Sequence, residues 1–163
     1  GRSGGPRPRG RSVEAVNDPI PADPAPGAVP LHPNAPSWFR SALAVASSDE
    51  SVEVDGAAVH YLAWGERGRR GLVFVHGGGA HAHWWSHLAP LLAADLRVLA
   101  VDLSGHGDSE PRDVYALEQW AEEVMAVAAH GGITGPPVLV GHSMGGFVTI
   151  ATAALTLSLG RRK

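Results

Sequence analysis

The sequence predicts an α/β protein with a mostly parallel sheet, and three observations carry that prediction. Leu72-Val-Phe-Val75, Val98-Leu-Ala-Val101 and Val138-Leu-Val140 are short, unbroken apolar runs, the pattern of strands covered on both faces. Stretches with helically spaced apolar residues separate them. An antiparallel hairpin pattern precedes them.

The elements follow in order. Nine of the thirteen prolines fall between Pro6 and Pro36, among Gly, Arg and Ala. That composition buries little apolar surface, so residues 1–36 are expected to form a disordered arm and 37–163 a folded domain. Arg2, Arg7, Arg9 and Arg11 read as solvated charges of that arm. Ser37 ahead of WFRSALAVA suggests a short helix with a serine cap. Val52-Glu-Val-Asp alternates, Asp55-Gly56 is a two-residue turn signal, and Val59, Tyr61 and Ala63 share a face; together they predict an antiparallel hairpin at a sheet edge. Over 84–94, Trp84, Trp85, Leu88, Leu91 and Leu92 fall on one helical stripe, which Pro90 should kink or shorten. Over 115–130, Leu117, Trp120, Ala121, Val124 and Val127 share a face, and Gly131-Gly132 stops the helix. A last helix is expected from about Ser143 to Leu157. Strand and helix alternating three times is the order of a doubly wound sheet.

Composition narrows the partners. The chain has 163 residues, is 44% apolar and carries a net charge of −3. That is one domain with a real core and no electrostatic case for nucleic acid or an acidic membrane. Without cysteine there is neither a disulfide framework nor a cysteine–zinc site. Ala42–Ala46 is too short for a signal-peptide core, and the run from Phe147 to Leu159 is broken by threonine and serine. A soluble, cytoplasmic protein is expected. The start at Gly1 suggests a fragment.

Three segments carry chemistry. Gly141-His142-Ser143-Met144-Gly145 fits G-x-S-x-G, set between an apolar strand and an apolar helix. A tight strand-to-helix turn forces the serine into a strained conformation, and glycines on either side leave room for neighbouring chain. The hydroxyl then projects above the sheet near the positive end of a helix. Phe74-Val-His-Gly-Gly-Gly79 follows the first parallel strand, and its glycines let backbone N–H groups approach a ligand oxygen. The N–H groups of Gly78 and Met144 are the candidate oxyanion donors. No G-K-[ST] follows, which removes a P-loop. The third segment is Val101-Asp-Leu-Ser-Gly-His-Gly-Asp-Ser109.

Taken together, H-G-G, D-x-x-G-H-G-x-S and G-H-S-M-G-G, in that order over roughly residues 50–155, resemble the α/β-hydrolase superfamily. The resemblance implies the N-terminal half of that fold, with Ser143 as nucleophile, Gly78 and Met144 as oxyanion donors, and 102–109 as a structural loop bordering the pocket. Asp102 and Asp108 then read as turn and strand-end aspartates. A serine nucleophile implies acyl transfer to water from a small ester, thioester or related substrate, with no cofactor and no metal. Relatives with aspartate at that position open epoxides or remove halide.

The same resemblance places a triad acid and histidine after Ser143. The remaining MGGFVTIATAALTLSLGRRK holds no Asp, Glu or His. The sequence therefore predicts a truncated hydrolase with little or no turnover, and a strand 137–141 left as an open edge. His142 should point away from the serine, and His76 or His106 is not expected to replace the base. Two rivals are weighed. His81-Ala-His83-Trp-Trp-Ser-His87 has the H-x-H spacing of binuclear metallohydrolases but holds Trp85 where that motif needs Asp. A vestigial, ligand-binding hydrolase is the non-enzymatic alternative.

Overall fold

In the computed structural model, which describes residues 31–160, five strands form one sheet in the order β1-β2-β4-β3-β5. The strands are β1 (Ser48–Val54), β2 (Ala57–Trp64), β3 (Gly71–Val75), β4 (Arg97–Val101) and β5 (Val138–Gly141). The helices are α1 (Ser37–Leu43), α2 (Ala89–Leu92), α3 (Leu117–His130) and α4 (Met144–Gly160), with one 3₁₀ turn at Ala82–Trp85. The expected arm over 1–36 lies mostly outside the described residues, and from Pro33 onward the chain forms one unit.

β4, β3 and β5 run parallel, with Val73 opposite both Leu99 and Leu139. All five residues of β3 and all five of β4 are buried, as unbroken apolar runs require when helices cover both faces. Alternate residues serve two cores. Val59, Tyr61, Val73, Val75, Leu99 and Val101 pack under Val124 and Val127 of α3 and Val148 of α4. Leu62, Trp64, Leu72, Phe74, Val98 and Ala100 pack under Trp85 and Ala89. The result is three layers.

The hairpin turns at Asp55-Gly56, both with positive φ (47° and 76°), in keeping with the two-residue turn that the sequence signals. Its two strands differ in place, however. β1 is the sheet edge, whereas β2 is interior and pairs antiparallel with both β1 and β4. Leu62 and Trp64, between the residues of the expected face, are buried as well.

Two local expectations are corrected. Ser37 is the first helical residue rather than the cap. Pro36 holds the cap position without a side-chain bond, and its carbonyl accepts from the N–H groups of Phe39 and Arg40. The stripe over 84–94 does not form one helix. The chain makes a single 3₁₀ turn and restarts at Ala89, with Pro90 in the first turn of α2 where its missing N–H costs nothing. The phase is lost at that break: Trp85 is buried, while Trp84, Leu91 and Leu92 are exposed.

At the far edge, β5 has its inner side paired and no outer partner among the described residues. α4, free of charged residues, buries Val148 and Thr152 and exposes Phe147, Ile150 and Leu157. No described helix is long and apolar enough to cross a membrane.

Candidate active site

From β3 the chain crosses to β4 on one side and later returns to β5 on the other. Strand order therefore reverses at β3, and the crevice at the carboxyl ends of such strands is where α/β sheets bind ligands. The loop after β3 and the turn after β5 meet there. An open cleft of about 210 Å³ is lined by Gly77–Gly79, Ala80, Trp84, His142 and Ser143.

Ser143 sits between the end of β5 and the first residue of α4 with φ of +52°. A non-glycine residue in this left-handed region costs about 1–2 kcal/mol, so surrounding chain must hold it. The N–H of His142 donates to Val75 O at 3.0 Å, and the N–H groups of Gly145 and Gly146 donate to His142 O and Ser143 O, each at 2.9 Å. Close approach makes the glycines obligatory. A Cβ on Gly141 would lie 2.2 Å from Gly145 O, and one on Gly145 would lie 2.3 Å from Val75 O and 2.5 Å from His76 O.

The turn leaves Ser143 exposed, and its hydroxyl has no hydrogen-bond partner among the described residues. The N–H groups of Gly78 and Met144 likewise donate to no described acceptor. Gly78 and Met144 are neighbours: a Cβ on Gly78 would lie 3.8 Å from Met144 Sδ. The cleft is thus lined by Gly78 and Ser143, with the start of α4 and its helix dipole directly after the serine.

The histidines near the cleft are otherwise engaged. His76 is fully buried; its Nε2 accepts the N–H of Leu103 at 3.1 Å, so Nδ1 carries the proton and donates to Gly77 O at 2.8 Å. Burial holds its pKa below the ordinary value despite the Gly77 carbonyl. His106 lies with its ring centroid 4.9 Å from that of His76 and 6.1 Å from that of Trp120. His142, exposed, stacks on Trp84 with centroids 5.7 Å apart. None of these rings is hydrogen-bonded to Ser143.

Asp102 is a hub of the structure. Its carboxylate accepts from His60 Nδ1 at 2.7 Å, from the N–H of Asp108 at 3.0 Å and from the N–H of Ala82. Burial pushes its pKa up, but these donors outweigh burial and leave it lowered. His60 is raised, chiefly by the Asp102 bond against the opposing effect of burial; its Nε2 meets Asp49 at 3.0 Å. Ser109 Oγ donates to Asp102 O at 2.6 Å and accepts from the N–H of His60 at 2.7 Å. The segment 102–109 therefore ties the hairpin to the sheet end. Sequence patterning gave no sign of His60 as its partner, because residues 49, 60 and 102 share no period and meet only through the fold.

Metal chemistry finds little purchase. His60, Asp102 and Asp108 could approach one ion, yet the Asp102 oxygens are already occupied by three donors. His83 Nδ1 lies 3.3 Å from Ser86 Oγ, and the His87 ring packs against Phe39. The 81–87 histidines do not gather into a ligand group among the described residues.

Known proteins place this geometry in a family. Residues 72–161, more than half of the chain, match the model of the alpha/beta hydrolase family. The pimeloyl-[acyl-carrier protein] methyl ester esterase of Sodalis glossinidius is 41% identical over 86 residues, 53% of this chain and 32% of that one. The dihydrolipoyllysine-residue acetyltransferase component of the acetoin cleaving system of Pseudomonas putida is 38% identical over 107 residues, 65% of this chain and 29% of that one. The chain thus spans about a third of the length of these relatives. Among solved structures, the thioesterase domain from the curacin biosynthetic pathway superposes with a TM-score of 0.62 at 28% identity, covering 68% of this chain and 41% of that one. Sheet order, strand-to-helix turn and relatives agree: the chain belongs to the alpha/beta hydrolase family.

Proposed function

We propose that Ser143 is the nucleophile of a serine hydrolase acting on a small, uncharged ester or thioester, with the N–H groups of Gly78 and Met144 as oxyanion donors. The left-handed backbone of Ser143 (φ +52°) at the end of a parallel strand carries this reading. Strain of that kind persists only where surrounding structure imposes it, and here it lifts a free hydroxyl beside free backbone donors. The relatives include an esterase and a thioesterase domain.

A serine hydroxyl is a weak nucleophile at neutral pH until a base takes its proton. No described histidine is placed to do so, so these residues alone have little turnover. Chemical rescue tests both halves of the proposal. Added imidazole is expected to raise p-nitrophenyl ester hydrolysis by the purified chain above imidazole's own background, and Ser143→Ala abolishes the excess. An equal excess in Ser143→Ala would remove Ser143 as nucleophile. Serine-dependent turnover without imidazole, lost on changing His76 or His106, would show that an upstream histidine is the base.

A further inference from the structure

Two adjacent tryptophans have opposite fates. Trp85 turns into the core, 7% exposed, and stacks on Phe74 with centroids 4.4 Å apart and planes 12° from parallel. Trp84 is 52% exposed, lines the cleft beside Ser143, and stacks on His142 at 5.7 Å and 24°. A large indole left half in water beside a reactive group is informative, whereas a buried one is ordinary. Its position is fixed from below. The N–H of Ala82, first residue of the same 3₁₀ turn and fully buried, is held by the Asp102 carboxylate that His60 also grips. From the other side, His142 is braced against the glycine loop, where a Cβ on Gly77 would fall 2.9 Å from His142 Nδ1. Trp84 thus stands as an anchored flat ring with one face towards His142. No carboxylate, lysine or arginine is among the described residues that line the cleft.

From this we infer that Trp84 determines specificity: it selects an uncharged carbonyl substrate bearing a flat, unsaturated ring, which packs on the indole while the carbonyl faces Gly78 and Met144. The inference rests on the reading of Ser143 as the reacting centre. Flatness is the discriminating property. A planar ring stacks on indole with an attraction beyond area burial, and a puckered ring of equal size gains only the burial. A charged group would find no carboxylate, lysine or arginine among the described lining residues to pair with.

The test compares acetophenone with cyclohexyl methyl ketone, titrated into the isotopically labelled chain and followed by amide and indole NMR shifts. Acetophenone is expected to shift the Trp84 indole together with the Gly78 and Met144 amides, and to bind about fivefold more tightly than the puckered ketone. Trp84→Phe should keep most of that ratio, and Trp84→Leu should bring it to about one. Ser143→Ala should leave it intact, which separates failure of this inference from failure of the nucleophile assignment. Equal binding of the two ketones, a ratio surviving in Trp84→Leu, or no shift with either ketone would overturn it.

Discussion

Two loops at the same end of the sheet invite comparison. The segment 102–109 holds Asp, Ser, His and Gly, residue types of catalysis, and the pair formed by loop 76–80 and turn 142–144 holds three of them, Ser, His and Gly. In the first, the buried polar side chains find partners. Asp102 accepts three donors, Ser109 bridges Asp102 and His60, and the N–H of Ser104 meets Glu123, itself buried and paired with Arg112 at 2.9 Å. In the second, the Ser143 hydroxyl and the N–H groups of Gly78 and Met144 have no partner among the described residues. What separates scaffold from candidate site is the state of these groups, satisfied or vacant, and not the residue types.

The largest test of this contrast removes the hub. Asp102→Ala leaves His60 beside Asp49 alone and strips three donors of their acceptor. It should cost about 4 kcal/mol in urea unfolding, the scale for breaking a buried charged pair. A loss near 1 kcal/mol would mean that the 102–109 network is decoration. Next, Gly145→Ala forces a methyl group against the carbonyls of Val75 and His76, which belong to a packed strand and its loop. Overpacking of this kind should cost about 3 kcal/mol. Both positions are structural, so the contrast appears only in the third experiment. Ser143→Gly relieves the left-handed backbone and should raise stability by about 1 kcal/mol, while abolishing the imidazole-dependent hydrolysis. A destabilised Ser143→Gly would show that the strain is absent in solution.

The smallest effect is a pH trend. Asp102 holds His60 above its ordinary value of 6.5, so the pair contributes fully below that pH and its contribution fades as pH rises through the raised folded pKa. The lowered Asp102 acts in the opposite sense, contributing above 3.8 and fading as acid protonates it below. The stability difference between the chain and His60→Gln should therefore be largest at pH between these two values and shrink above 6.5. His76, whose neutral form is the buried one, drifts the other way and cancels in the subtraction. A difference that grows towards alkaline pH would contradict the assigned partnership.

Much of this was legible in the sequence, for reasons that differ by element. β3 and β4 announce themselves because a strand buried on both faces has no choice but to be continuously apolar, and β5 shows the same apolar run although it is an edge strand whose end residues are exposed. α3 does so because fourteen residues are enough for the helical period to show. The serine turn is legible because its steric demands admit only glycine at set offsets. Trp84 misled because its stripe presumes a helix through 84–94, and one break before Pro90 resets the phase. The His60–Asp102 bond spans 42 residues of sequence and obeys no period, so only the fold reveals it.

The glycine pair around Ser143 has a consequence in the language of the gene. Every coded amino acid except glycine carries a Cβ, and at positions 141 and 145 that atom would meet backbone oxygen at 2.2–2.3 Å. Backbone cannot step aside as a flexible side chain can. Any missense change in either codon therefore meets the same obstacle, whatever residue it introduces, and only synonymous changes pass. A saturation library of this chain scored for stability should show two columns in which every residue but glycine is depleted, flanking a position 143 that accepts Gly, Asn and Asp.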